Sequence, residues 1–144
     1  MDNMENIGGI YEEAENEEEN KIVEIPKKKS LPFYIWNVGG YDYKLRLKAS
    51  GVLVLENKYK RNMMDVLTEG NIPPLAVMLT VIQVAMEPWN HGIRYTDVQK
   101  IYDKWEEEGG SQMDLYSEVI TPLMAVSGFF TKEMAEEILK KMNR

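Results

Sequence analysis

The stretch PPLAVMLTVIQVAMEPW, residues 73–89, decides the fold of this chain. Its central twelve residues contain only two polar side chains, Thr80 and Gln83. Two prolines before an apolar run favour the start of a helix, because the first turn has no partner for its N–H groups. We therefore predict a helix over residues 75–87 that ends at Pro88. A helix that is apolar on almost its whole circumference is buried, so we expect this one at the centre of the domain.

The same segment fits neither a membrane span nor a signal peptide. A spanning helix needs about 20 apolar residues, whereas this run has only twelve. It lies in the middle of the chain, and no basic region followed by an apolar stretch occurs at the N-terminus. We expect no membrane partner, so the apolar side chains must pack in the chain's own core or against another protein.

Acidic side chains are concentrated at the N-terminus. Residues 1–20 hold eight of the 24 acidic side chains and none of the 17 basic ones, which leaves the rest of the chain with a net charge of +1. A body so close to neutral lacks the clustered basic face that binds nucleic acid, apart from the short KKK run at residues 27–29. We predict a disordered acidic tail over residues 1–30 and a single, mainly helical domain over residues 31–144.

A β-hairpin and several more helices are predicted around the apolar segment. Strict alternation over residues 41–48 indicates a strand, and the glycine pair before it indicates a hairpin turn. A helix capped by Ser50 should follow, and then a short helical turn. Amphipathic helices come after the apolar segment, with caps expected at Thr96 and Ser111 and a kink or break at Pro122. The predicted fold class is α+β, mainly α, with an N-terminal β-hairpin packed on a bundle of about five helices around the central apolar helix.

No combination of residues typical of an enzyme occurs in the sequence. There is no cysteine, and His91 is the only histidine, so the side chains that most often bind zinc or act as nucleophiles are almost absent. The glycine pairs do not follow the strand–loop–helix order that binds phosphate. We therefore predict no catalytic residue, no metal site and no cofactor, and we expect that the protein is not an enzyme.

Three segments of the chain, read in order, resemble a known family. They are YDYKLRLKASGVLVLENKY, LTEGNIPPLAVMLTVIQVAMEPWNHGI and TDVQKIYDKWEEEGGSQMDLYSEVITPLMAVSGFF, and together they span about residues 41–130. This ordered set is similar to the one found in tail assembly chaperones of long-tailed bacteriophages and prophages. The acidic tail and the predicted helix after Phe130 depart from the pattern of that family.

The resemblance implies a non-enzymatic function. Members of the family bind the tape-measure protein, keep it soluble and deliver it for tail-tube assembly. By this resemblance the partners are the tape-measure protein and the tail-tube protein. The location is the cytoplasm of the bacterial host, and the protein is absent from the mature virion. Self-association through exposed apolar surface is also expected.

A chaperone of this kind needs an adaptable apolar groove of methionine and aromatic side chains. The chain contains ten methionines, and several large aromatic residues lie on or beside its predicted helices. A core position is the alternative role for each of them, because an aromatic residue at helical spacing is commonly buried. The predicted partner-binding residues are Trp89, Tyr102, Trp105, Phe129 and Phe130.

Two other classes of function stay open at this point. The first is an adaptor or inhibitor whose acidic arm binds a basic partner protein in place of nucleic acid. The second is a structural tail or head-completion protein, which would remain in the virion. Removal of residues 1–30 should abolish binding by the first class, whereas a chaperone should still bind its partner.

Overall fold

The computed structural model describes residues 33–142, so the tail predicted over residues 1–30 lies outside the described residues. The first elements are the strands β1 (Tyr34–Val38) and β2 (Tyr41–Leu45), which pair antiparallel with Val38 opposite Tyr41. Gly39 and Gly40 connect them with φ values of 62° and 80°. A tight hairpin turn of this kind needs positive φ at both central residues, which glycine adopts without steric cost. The predicted hairpin is confirmed.

The remaining elements in the described residues are helical. The structure has α1 (Ala49–Tyr59), α2 (Met63–Thr68), α3 (Leu75–Met86) and α4 (Tyr95–Glu107). One continuous helix over residues 112–126 follows, in three parts: α5 (Gln112–Leu115), a π-helical turn (Tyr116–Ile120) and α6 (Thr121–Val126). The last element is α7 (Lys132–Met142). The predicted fold class, α+β and mainly α, is confirmed.

Helix α3 occupies the centre, as the sequence predicts. The hairpin strand β2, the helices α1 and α4 and the π-helical turn all contact it. Glu87, the last residue of the predicted helix, keeps helical dihedral angles as the C-cap. Burial is not complete around the circumference, because Val77 and Val84 are only half-buried and Ala76 is exposed. The fully covered side chains of α3 are Met78, Leu79, Val81, Ile82, Ala85 and Met86.

Two of the three predicted helix caps are wrong. Helix α1 begins one residue before Ser50, and its N-cap Lys48 makes no side-chain cap hydrogen bond. Helix α4 begins before Thr96, because the carboxylate of Asp97 accepts the backbone N–H of Arg94 at 2.9 Å and so fixes Arg94 as the N-cap. The predicted cap at Ser111 is confirmed by reciprocal hydrogen bonds of 3.1 Å between this residue and Asp114.

Pro122 changes the hydrogen bonding of its helix, which continues through it. The turn before α6 is π-helical, and the Thr121 N–H donates to the carbonyl of Tyr116, five residues back. Proline has no N–H, so the carbonyl of Glu118 lacks its ordinary α-helical donor. The hydroxyl of Tyr34 on β1 donates to that carbonyl at 2.8 Å. The hairpin is therefore fixed to the helix at the place where the helix cannot complete its own bonds.

Helix α7 is the least buried helix of the fold. The sequence predicts an apolar stripe on it, and the helix is amphipathic, but none of its residues is fully buried. It packs mainly on α6, and Leu139 contacts the core while remaining half-buried. Met134 on the same stripe is 52% exposed. The predicted stripe is Met134, Ala135, Ile138, Leu139 and Met142.

The bond between Tyr34 and Glu118 should make a measurable contribution to stability. We expect Tyr34→Phe to lower the free energy of unfolding by about 1 kcal/mol in urea denaturation, because the Glu118 carbonyl loses its donor. Tyr41→Phe is the control, since Tyr41 lies on the same hairpin and is 57% exposed. The loss should shrink in a Pro122→Ala background, which supplies a new N–H to the helix. An equal loss in both backgrounds would contradict this account.

Candidate partner-binding surface

A groove with a volume of about 510 Å³ lies between helices α1 and α3. Gly51 and Val54 line it on α1, and Val84 lines it on α3. Pro88, which follows the end of α3, also lines the groove. The exposed side chains of Glu87 and His91 add a polar edge, where a carboxylate oxygen lies 3.5 Å from the imidazole. The arrangement combines apolar walls with a polar margin, which is typical of a protein-binding groove.

The groove depends on a close approach of α1 to α3. A Cβ atom on Gly51 would lie 2.8 Å from Cγ1 of Val84, which is too close for two carbon atoms. Glycine is therefore the residue that fits where α1 crosses α3. The backbone N–H of Arg46 donates to the carbonyl of Ala85 at 3.1 Å and ties the chain just before α1 to the last turn of α3. The packing of Gly51 on Val84 and the hydrogen bond from Arg46 to Ala85 thus set the spacing of the groove walls.

The segment between β2 and α1 is also attached to the end of α6. The guanidinium of Arg46 donates to the carbonyl of Val126 at 2.8 Å. The backbone N–H of Leu47 donates to the hydroxyl of Ser127 at 2.9 Å. These bonds join positions about 80 residues apart in the chain. They position the first turn of α1 beside α3 and hold the N-terminal end of the groove in place.

Two large apolar side chains on α1 face solvent beside the groove. Leu53 is 65% exposed and Val54 is 61% exposed, whereas Leu55 is completely buried. The four consecutive apolar residues from Val52 to Leu55 cover about 300° of the helix circumference, since each residue turns the helix by 100°. One side of such a run must point away from the core. The uninterrupted apolar run is the sequence signal that indicates this surface, and none of the predicted partner-binding residues lies on it.

The predicted aromatic residues lie at three separate places. Trp89 is 38% exposed, directly follows Pro88 of the groove, and packs edge-to-face on Phe33 with ring centres 5.5 Å apart. Tyr102 is buried and Trp105 is half-buried, and their ring centres are 6.1 Å apart. The two predicted phenylalanines, Phe129 and Phe130, follow α6 and are half-buried against the core. The structure therefore does not bring the five into one groove, and their contact with a partner stays a prediction.

A metal centre and a membrane span are two kinds of site for which the described part of the chain offers no candidate. Residues 33–142 contain no group of three or more histidine, cysteine or acidic side chains placed to hold a metal ion. Within the same residues, no helix combines the length and apolar character needed to cross a bilayer. The groove between α1 and α3, with Leu53 and Val54 beside it, is the candidate partner-binding surface.

The chain belongs to a family of unknown function, DUF6096. The match covers residues 33–143, which include both strands and all the helices described above. Comparison with curated proteins and with solved structures found no match. Every residue that lines the groove lies within the matched range, so the groove is built entirely from the part of the chain that defines membership.

Gly51 should be intolerant of a larger side chain. We expect Gly51→Ala to lower the free energy of unfolding by about 1 kcal/mol, because overpacking against the rigid, β-branched Val84 outweighs the better helix propensity of alanine. Thermal or urea denaturation measures this loss. Ser50→Ala is the matched control on the neighbouring exposed position, and it should leave stability almost unchanged. A stabilised Gly51→Ala variant would show that α1 and α3 do not pack this closely.

Proposed function

We propose that this protein is a tail assembly chaperone of a long-tailed bacteriophage or prophage and that it binds the tape-measure protein. Two independent lines support the proposal. One is the resemblance over about residues 41–130, which covers the hairpin strand β2, the central helix and the acidic-Gly-Gly break after α4. The other is the apolar surface of α1 beside the groove, because a chaperone must offer apolar contacts to a partner that would otherwise aggregate.

The groove suits one helix of a partner. Its lining residues lie in the first half of α1, up to Val54, and at the end of α3, from Gln83 onward, so the α1 wall is about 10 Å long at 1.5 Å per residue. A partner helix of about two turns matches that length and can place apolar side chains at i, i+3 and i+4 along Val54 and Val84. Leu53, exposed on the outer side of α1, extends the apolar area beyond the groove.

The groove also offers polar contacts at its margin. Lys48 precedes α1, and Glu87 follows α3, so one cationic and one anionic side chain lie on opposite walls at the same end of the groove. Charged side chains at the rim of an interface contribute more to specificity than to affinity. A tape-measure helix is expected to bind with its apolar face inward.

The proposal includes the other features that the resemblance to tail assembly chaperones implies. The protein acts in the cytoplasm of the bacterial host, releases its partner during tail-tube assembly and is absent from the finished virion. It works as a binding protein and not as an enzyme, and it uses no cofactor, metal or nucleic acid. The tail-tube protein and further copies of this chain are its other proposed contacts.

Co-expression with the tape-measure protein encoded nearby in the same genome tests the proposal. We expect the tagged chain to keep that protein soluble and to co-purify with it. Leu53→Asp combined with Val54→Asp should reduce the co-purified amount about tenfold, because charges would then be buried at the contact. Met113→Asp is the matched control, since Met113 on α5 is 67% exposed and lies on another helix.

Three outcomes would contradict the proposal or replace it. An insoluble tape-measure protein with nothing bound to this chain would make the resemblance misleading. Loss of binding only after removal of residues 1–30 would favour an adaptor or inhibitor that binds a basic protein through its acidic arm. Recovery of the chain from purified virions would favour a structural tail or head-completion protein.

A further inference from the structure

Helix α7 carries an apolar face that the described part of the chain leaves open. Met134 in its first turn is 52% exposed, and Ile138, four residues further along, is half-buried. Residues four apart lie on the same face of a helix, so these two side chains define the open face of α7. They line a shallow depression of about 310 Å³, and no element of residues 33–142 other than α7 contributes to its lining.

A different side of α7 packs on the domain. Leu139 contacts the core, and α6 is the main neighbour of the helix. At 100° per residue, Leu139 lies about 100° from Ile138 and about 140° from Met134 around the helix. The attachment to α6 and the open face therefore use different sides of α7, so a second molecule can bind the helix without displacing α6.

Charged side chains form a row along the edge of the open face. Glu133, Glu137 and Lys141 recur every four residues, one position before the apolar row that begins with Met134 and Ile138. All three charged side chains are exposed, and none of them forms an ion pair with another described residue. This charged row is acidic toward the start of α7 and basic toward its end, and its charges stay available to a second molecule.

The charged row is complementary to a second copy of itself in the antiparallel direction. When two antiparallel copies of α7 meet with Ile138 opposite Ile138, their charged rows lie on the same side of the pair. At 1.5 Å per residue, Lys141 of one copy then lies between Glu133 and Glu137 of the other, about 3 Å along the axis from each. A parallel pair would instead place the charged row beside the α6 side of the other helix, where α7 offers no charge.

The apolar side chains match in the same arrangement. The two Ile138 side chains meet at the twofold axis, and Met134 of one copy lies at the same height as Met142 of the other. Methionine side chains are flexible and adapt their shape to a neighbour, so they suit a contact of this kind. The charged row and the apolar row therefore favour the same direction and the same register.

We propose that the open face of α7 binds a second copy of this chain, as an antiparallel helix pair centred on Ile138. The contact is isologous, because both molecules contribute the same surface. The helix has 11 residues and is about 16 Å long, so the contact is smaller than that of a permanent dimer and forms reversibly. The inference gives a surface to the self-contact in the proposed function, and it does not depend on binding of a tape-measure protein.

Sedimentation equilibrium of the purified full-length chain tests the proposal. We expect a reversible monomer–dimer equilibrium over roughly 10 μM to 1 mM, the range of weak complexes. Met134→Asp should weaken the dimer about tenfold, because it places a charge in the apolar contact. Circular dichroism should show an unchanged fold for this variant, since Met134 is half exposed.

The self-contact and the chaperone function can fail separately in this experiment. A chain that stays monomeric at about 1 mM would overturn the self-contact and leave the open face of α7 to a different protein. A dimer that Met134→Asp does not weaken would also overturn it, because the copies would then meet elsewhere. Neither result changes the expected co-purification with the tape-measure protein, which depends on Leu53 and Val54.

Charge reversal tests the antiparallel direction. Lys141→Glu should weaken the dimer about tenfold, because the new carboxylate repels Glu133 and Glu137 of the other copy. Glu133→Lys combined with Glu137→Lys should weaken it for the same reason. An equimolar mixture of these two variants should dimerise again, because every altered side chain then meets an opposite charge. Lys140→Glu is the matched control, since it changes the net charge equally but points about 100° away from Lys141. Equal weakening by Lys140→Glu and Lys141→Glu, or no recovery in the mixture, would overturn the proposal.

Discussion

Burial of helix α3 is the constraint on which the other elements depend. Its apolar residues occupy more of the circumference than one neighbouring helix can cover. The hairpin, α1, α4 and the π-helical turn each cover a different part of it. The chain is short for this task, because small domains leave a large share of their surface exposed. The half-buried Val84 is one part of α3 that stays accessible, and it contributes to one wall of the groove.

Hydrogen bonds between distant segments complete the backbone where the helices cannot do so alone. Near the end of α3, the Trp89 N–H bonds to Met86, and the Ala85 carbonyl accepts the N–H of Arg46 instead. Near Pro122, the Glu118 carbonyl accepts the hydroxyl of Tyr34. In both cases a proline lies within a few residues of the open carbonyl. At both places the carbonyl that the helix leaves open is bonded by the hairpin or by the residue that follows it.

The sequence predicted the features of the fold that local signals determine. The prolines and the apolar run located α3, and the glycine pair with alternating residues located the hairpin, because each signal lies within the element itself. The cap at Thr96 was wrong because the Arg94–Asp97 pair decides the start of α4. The cap at Ser50 was wrong because α1 begins one residue earlier, after Lys48, which makes no side-chain cap hydrogen bond. N-cap propensity alone does not show which of two nearby polar residues becomes the N-cap.

The candidate groove was harder to predict, since it arises from contacts between segments far apart in the chain. The fit of Gly51 against Val84 joins two helices, and no local pattern reveals it. The exposure of Leu53 and Val54 follows from the orientation of α1. The four-residue apolar run does not determine that orientation. The predicted aromatic residues were chosen by size, whereas the structure buries Tyr102 and distributes the others over separate places.

Helix α7 has a consequence for the order in which the fold opens. It has no fully buried residue and packs mainly on α6, so its separation exposes little apolar surface. The free energy of such a local opening is much smaller than that of global unfolding. Backbone amides of α7 should exchange with solvent long before those of α3, which β2, α1, α4 and the π-helical turn cover. The last helix can thus leave α6 and return while the rest of the domain stays folded.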